Sequence, residues 1–323
     1  MSQKQSKKAT KKVALKASKK KVVPFNSLTD NTKEESDFAK KTRAQYAPGI
    51  DKCETDWKKR LLIFTPSRGM VRMEWVQSRY GQVVPTNWSH VEMRQFIHPY
   101  VPIDYQLGDA QNLMAKMVVE GDYDWVLYIE DDNVLPPNAF WKINDYINKA
   151  EEPVVSALYF TKSSPAEPLI YRGRGNSYYR DWVIGEKVRC DGIPFGFRLE
   201  HASLIKAAWE ESPEYIVNGE KTRRVFESPN SMWYDYKSGG VVAKQGTTDL
   251  AWCTRIIKDN LLEKAGWPKH QKMEYPFLVD TSIYVKHITN DGVMYPREFP
   301  KEYLPRDTQE NLLQAIKILK WEI

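Results

Sequence analysis

Long apolar runs are missing from this 323-residue chain. No stretch approaches the roughly 20 residues that cross a bilayer, so the sequence predicts no transmembrane segment. Cysteine is scarce too. Cys53, Cys190 and Cys253 are odd in number, scattered and without a C-x-x-C spacing, which argues against a disulfide framework or a cysteine-built zinc site. A reducing compartment fits, and the expected location is cytoplasmic, with any membrane contact peripheral. Acid is absent from residues 1–29, which carry nine lysines and no apolar stretch behind them of the kind a secretory signal has. Without those nine lysines, 39 basic residues stand against 42 acidic ones, so the body sits at −3 although the whole chain is +6. The body is therefore not a basic nucleic-acid surface, and the tail is a separate object.

What is present in quantity is apolar and aromatic. Hydrophobic residues make up 41%, enough for a sizeable core, and 11 Trp with 18 Tyr supply large faces carrying a polar tip. Such faces stack on sugars and bases, although most are expected inside. Residues 1–24, rich in Lys, Ser, Ala and Gln, bury too little to order themselves and are expected to form a disordered tail. The tail is either simply solvated or an electrostatic tether to an anionic partner, nucleic acid or membrane. Residues 25–59 read as an irregular lead-in.

Order is expected from Arg60. Leu61–Phe64 is a short apolar run stopped by Thr65-Pro66-Ser67-Arg68-Gly69, a buried strand feeding a loop. A helix follows through Tyr80, and 90–97 is a candidate second strand. Ala110, Leu113, Met114, Met117 and Val118 share one helical face, with Gly121 placed to end that helix as a C-cap. Asp124–Ile129 is a strand closing on Glu130-Asp131-Asp132. Pro136-Pro137 opens a helix with Phe140, Ile143 and Ile147 inward, and Pro153–Phe160 is a further strand. This alternation predicts a mostly parallel sheet with crossover helices, whose ligands bind beyond the carboxyl ends of the strands.

The second half is less regular. Residues 162–190 read as long loops or short antiparallel strands, a helix is expected over about 200–210, and 211–245 reads as loop. Asp249–Leu262 is helical, with Leu250, Cys253, Ile257 and Leu261 on one face. Ser282–Ile288 is a strand ending near His287. The last helix, 308–321, carries Leu312, Ile316, Leu319 and Ile323 as a stripe that packs on the body or lies on a membrane.

Three adjacent carboxylates with no basic residue close behind them repel one another. A hard divalent cation, Mn²⁺ or Mg²⁺, relieves that repulsion and leaves room for phosphate. A solvated acidic loop is the plainer alternative, but the position at a strand end favours a site.

Ile129-Glu130-Asp131-Asp132-Asn133-Val134-Leu135-Pro136 resembles the metal-binding DxD segment of family 2 glycosyltransferases, which have the GT-A fold. The resemblance runs from Arg60 to about Asp291. Thr65-Pro66-Ser67-Arg68 looks like the first-strand loop that meets the nucleotide, and Asn112 matches an Asn on the helix before the DxD strand. Gly192–Phe197 looks like the glycine-containing acceptor-side segment, Thr248–Cys253 like the Glu-Asp-x-x-Phe-Cys helix start with Thr248 in place of Glu, and Val279–Ser282 like the closing strand that leads to a His. The resemblance implies an α/β, Rossmann-like, mostly parallel sheet flanked by helices, with a smaller irregular acceptor-side region. It divides the ordered chain into a nucleotide-sugar-binding half at 60–160, an acceptor-side half with the catalytic base at 161–292, and a C-terminal extension with a helix at 293–323.

By the same resemblance Asp132 is the principal metal ligand, Glu130 or Asp131 its helper, and His287 a further ligand, which makes Glu130, Asp132 and His287 the candidate set. Thr65, Pro66, Arg68, Asn112 and Asp131 contact the nucleotide-sugar. Asp249, which the residues alone allow as a helix N-cap, is the general base that takes the acceptor hydroxyl proton. The implied activity is inverting transfer from a nucleoside-diphosphate sugar to a hydroxyl of a glycan, lipid, protein or nucleic-acid acceptor. Two other readings stay open: a GT-A-like nucleotidyltransferase, for which the first-strand loop is a faint match, and a non-catalytic sugar- or nucleotide-binding module held to nucleic acid by the lysine tail.

Overall fold

The structure, a computed structural model, describes residues 60–85, 97–173 and 178–322. The expected tail, the lead-in and most of the 90–97 strand lie outside those residues.

The described chain opens with β1 (Leu61–Phe64), α1 (Met73–Tyr80), β2 (Ile97–Tyr100), α2 (Leu107–Glu120), β3 (Trp125–Ile129), β4 (Asn133–Val134), α3 (Ala139–Lys149) and β5 (Val154–Leu158). It continues with β6 (Lys187–Cys190), β7 (Phe197–His201), α4 (Ser203–Glu211), β8 (Glu214–Val217), β9 (Glu220–Arg223), β10 (Asn230–Asp235), β11 (Gly240–Gln245) and α5 (Thr248–Lys258). The last part holds α6 (Leu261–Lys264), α7 (Pro268–Gln271), β12 (Phe277–Tyr284), β13 (Lys286–Ile288), β14 (Met294–Tyr295) and α8 (Gln309–Lys320).

Seven strands form the central sheet in the order β2-β1-β3-β7-β5-β12-β6. β7 runs antiparallel to both of its neighbours and β6 is antiparallel at an edge, so the other five strands point one way. This is the expected mixed α/β sheet, mostly parallel and Rossmann-like, consistent with the GT-A class. Both faces are covered, which is why strands such as Leu61–Phe64 and Trp125–Ile129 read as unbroken apolar runs. Leu62, Phe64, Val126 and Tyr128 pack beneath α2, α4 and α5 on one face. Leu61, Ile63, Leu127 and Ile129 pack beneath α1 and α3 on the other. Each fully buried side chain of this size contributes roughly 1.5–3 kcal/mol.

Several boundaries differ from the sequence reading. Gly121 ends α2 without a left-handed conformation: its φ is −88°. What requires glycine there is space, because a Cβ would stand 2.6 Å from the Tyr123 ring and 2.8 Å from the Met117 carbonyl. Pro136-Pro137 precede α3 rather than forming its first turn, and Asn138 is the N-cap. The Asp249–Leu262 helix breaks at Asn260, whose φ is +54°, and its buried face carries Trp252, Cys253 and Ile256. Leu312, expected on the packed stripe of the last helix, is exposed. Ala315 and Ile318 are the buried residues of α8, and the Trp321 indole donates to the Tyr284 carbonyl at 2.9 Å, so the helix packs on the body.

Residues 211–245, expected as loop, hold two hairpins, β8–β9 and β10–β11. Among the described residues no helix is long and apolar enough to cross a membrane. Cys190 and Cys253 are free and buried.

Candidate functional site

The acidic triplet follows β3 directly, at the carboxyl end of the sheet. Its backbone is pinned: the Glu130 N–H donates to the Gly196 carbonyl at 3.0 Å, and the Trp75 indole donates to the Glu130 carbonyl at 2.9 Å. A small three-stranded sheet, β14-β13-β4, then brings a distant segment onto the loop. β13 pairs antiparallel with β4, setting His287 opposite Asn133, and the Ile288 N–H donates to the Asp132 carbonyl at 2.8 Å. An irregularity in the β12–β5 register between Asp280 and Tyr284 turns the chain out of the main sheet toward this pairing.

The result is one cluster. Ligand atoms of Glu130, Asp132 and His287 lie within 4.8 Å of one another. At that spacing the three side chains would hold one divalent cation between them. The imidazole is prepared for this. Its Nδ1 hydrogen-bonds the Phe160 carbonyl, and a carbonyl only accepts, so Nδ1 carries the proton and Nε2 keeps a lone pair to offer. Burial lowers the His287 pKa and favours that neutral ring. Tyr159 packs edge-on against it, with ring centroids 5.0 Å apart, and the Tyr159 hydroxyl accepts from the Gly196 N–H at 2.6 Å. Two carboxylates with one neutral imidazole are ligands for a divalent metal ion, so the residues fit a divalent cation.

The electrostatics are those of a site short of positive charge. Burial first, then the charges on Asp132 and Asp249, push the half-buried Glu130 carboxyl up to about 8. Burial also raises Asp131, against the opposing hydrogen bonds from Ser67 and the Arg68 backbone, and it raises Asp249. A cation stands against the cluster: Lys162 Nζ is ion-paired with Asp132 Oδ2. The acids therefore do have a basic neighbour, supplied by folding rather than by the adjacent sequence.

A cleft of about 1240 Å³ opens beside the cluster. Its walls come from the chain beyond β1, β2 and β3, joined by the loop after β5 and the end of β13, and include Pro66, Arg68, Tyr105, Asp131, Asp132 and Lys162. Arg72 ties two rims of this cleft together, pairing with Glu74 at 2.7 Å and donating to the Asn290 carbonyl at 3.0 Å.

The residues expected to meet a nucleotide divide in two. Pro66, Arg68 and Asp131 line the cleft. Thr65 is buried, with its N–H donating to the Tyr100 carbonyl at 3.0 Å. Asn112 is buried and fully engaged: its amide nitrogen donates to Tyr215 Oη at 2.8 Å and to the Phe226 carbonyl at 2.9 Å, and its oxygen accepts from the Phe226 N–H at 2.7 Å. Neither Thr65 nor Asn112 is part of the cleft wall, and Asn112 holds the 215–226 segment onto α2.

Asp249 is not the N-cap that the sequence allowed. Thr247 is, and Asp249 lies in the first turn of α5, accepting from the Leu250 N–H at 2.8 Å. It is also outside the cleft wall, but close enough to Glu130 for its charge to raise that carboxyl. The sequence assigns no role at the site to Lys162, Tyr105 or Arg72, and places Tyr159 only within the Pro153–Phe160 strand. None carries a local motif, and all four reach the site through strand ends and loops distant in the chain.

No family profile and no curated protein matches this chain. Solved structures that resemble it include A197 from STIV, 14% identical at a TM-score of 0.42, over 74% of this chain and 90% of that one. S. aureus TarS 1-349 in complex with UDP-GlcNAc is 11% identical at a TM-score of 0.30, over 46% of each chain. The uridine diphosphate N-acetylglucosamine pyrophosphorylase from Trypanosoma brucei is 13% identical at 0.26, over 64% of this chain and 36% of that one. This chain thus spans less than half of the TarS fragment and of the pyrophosphorylase. At these TM-scores the likenesses add nothing to what the sheet and the cleft show by themselves.

Proposed function

We propose that this protein is a metal-dependent glycosyltransferase that moves a sugar from a nucleoside-diphosphate donor onto an acceptor hydroxyl with inversion. The observation that carries the reading is the convergence of Glu130, Asp132 and His287 at the carboxyl end of β3, within 4.8 Å of one another and beside a cleft large enough for a nucleotide-sugar. A divalent cation bound there supplies positive charge to the diphosphate leaving group.

The chain's own residues do the rest. Glu130, Asp132 and the Nε2 of His287 hold the cation. Arg68 and Lys162 face the phosphates from the cleft wall, Asp131 meets the ribose, and Tyr105, 36% exposed, offers its ring to the base. Asp249 takes the proton from the acceptor hydroxyl. Its raised pKa makes it a stronger base than an ordinary carboxylate.

The test is a screen of nucleotide-sugars with Mn²⁺ or Mg²⁺. Free nucleoside diphosphate is the expected product, and Asp132→Ala is expected to abolish its release. Pyrophosphate as the product would instead mark a nucleotidyltransferase, and no turnover with any donor or acceptor would leave the binding-module reading.

A further inference from the structure

Lys162 sits at the junction of the cation cluster and the cleft, and nothing in its local sequence marks it. It follows β5 on a loop closed by two bonds: the Thr161 N–H donates to the Glu167 carbonyl at 2.9 Å, and the Glu167 N–H donates to Thr161 Oγ1 at 2.9 Å. Its side chain, a third exposed, lines the cleft, and its ammonium is ion-paired with Asp132 Oδ2. The other oxygen of that carboxylate, Oδ1, accepts from Asn133 Nδ2 at 3.0 Å. Asp132 is thus shared between the lysine and the three-residue group suited to a cation.

That sharing has an electrostatic consequence. An ammonium and a divalent ion on one carboxylate repel each other, so the lysine weakens cation binding while the cleft is empty. A diphosphate in the cleft reverses the balance. It presents oxygens that the ammonium pairs with after leaving Asp132, and the freed carboxylate goes to the ion. Each ligand then strengthens the other by the same factor.

We propose that Lys162 couples the two ligands, covering Asp132 until a diphosphate arrives and then moving onto the phosphates as the cation takes its place. This rests on the cation site put forward above, with the diphosphate half of a nucleotide-sugar as the anion.

The test measures Mn²⁺ binding to the full chain at controlled free Mn²⁺, by electron paramagnetic resonance, with and without inorganic pyrophosphate. The wild type is expected to bind Mn²⁺ about tenfold more tightly when pyrophosphate is present. Lys162→Met is expected to bind Mn²⁺ alone about tenfold more tightly than the wild type and to lose most of the gain from pyrophosphate. Lys162→Arg keeps the charge and is expected to keep the coupling, which separates the effect from any disturbance of the loop.

Suppose Mn²⁺ binds to the wild type and is lost in Asp132→Ala, yet Lys162→Met leaves its affinity unchanged or weaker. The role of Lys162 is then overturned while the cation site stands. If the wild type binds no Mn²⁺ under either condition, both ideas fall. Pyrophosphate binding to the wild type that Mn²⁺ leaves unchanged in strength would also overturn the coupling, because each ligand must strengthen the other by the same factor.

Discussion

Glu130 is the residue whose chemistry depends most on its surroundings. Burial and the neighbouring carboxylates lift it from an ordinary 4.5 to about 8. Between those values the folded chain holds a proton that the unfolded chain releases, so this group's contribution to stability is lost as pH rises through that window. Melting temperatures without metal are therefore expected to fall between pH 6 and 8.5 in the wild type by more than in Glu130→Gln, which has no proton to lose. Parallel pH profiles for the two proteins would show that Glu130 is an ordinary carboxylate. Asp249 makes a second residue-scale test. If it is the base, Asp249→Asn lowers turnover by about 100-fold or more with Mn²⁺ affinity preserved; full transfer activity in that variant refutes the assignment.

Elements show where sequence periodicity succeeds and where it is silent. α2 and α3 were legible because each buries one stripe against the sheet, Ala110, Met114 and Val118 in one and Phe140, Ile143 and Ile147 in the other. The hairpin of β8 and β9 buries little on either strand, so no apolar alternation marks it. A signal was nonetheless there: Asn218-Gly219, both at positive φ, is the two-residue turn that the twist of a hairpin favours. Asn112 couples these elements, joining α2 to Tyr215 on β8 and to Phe226. Asn112→Ala leaves the buried N–H and carbonyl of Phe226 without that partner and is expected to cost about 2–4 kcal/mol, read by urea denaturation. A variant with unchanged stability and a raised KM for donor would instead return Asn112 to the nucleotide.

Across the whole molecule, β7 links the sheet to the helix that carries Asp249. Arg198 and Glu200 are both wholly buried and ion-paired, the Trp252 indole donates to Glu200 at 3.0 Å, and Arg198 donates to Cys253 Sγ at 3.5 Å. Trp252 and Cys253 belong to α5, so the pair fixes that helix against the sheet centre. Removing one partner leaves the other charged and buried. Glu200→Ala is expected to destabilise by about 3–5 kcal/mol, and Arg198→Met with Glu200→Leu to recover most of that loss. Chemical denaturation checks this, and a double variant as unstable as the single one would mean that the pair contributes more than it costs to bury.

The sequence by itself determined the alternation of apolar strands and one-sided helices, hence the covered sheet, and it set an acidic triplet at the end of a strand. These are local properties, because the face an element buries is written in its own residues within a turn or two. Tertiary structure alone decided which charges meet. His287 reaches the triplet through the pairing of β13 with β4, Lys162 through the loop after β5, and Glu130 feels Asp249 although the two lie far apart in the chain. Strand order and register bring those groups together, and neither is encoded in the periodicity of any one segment.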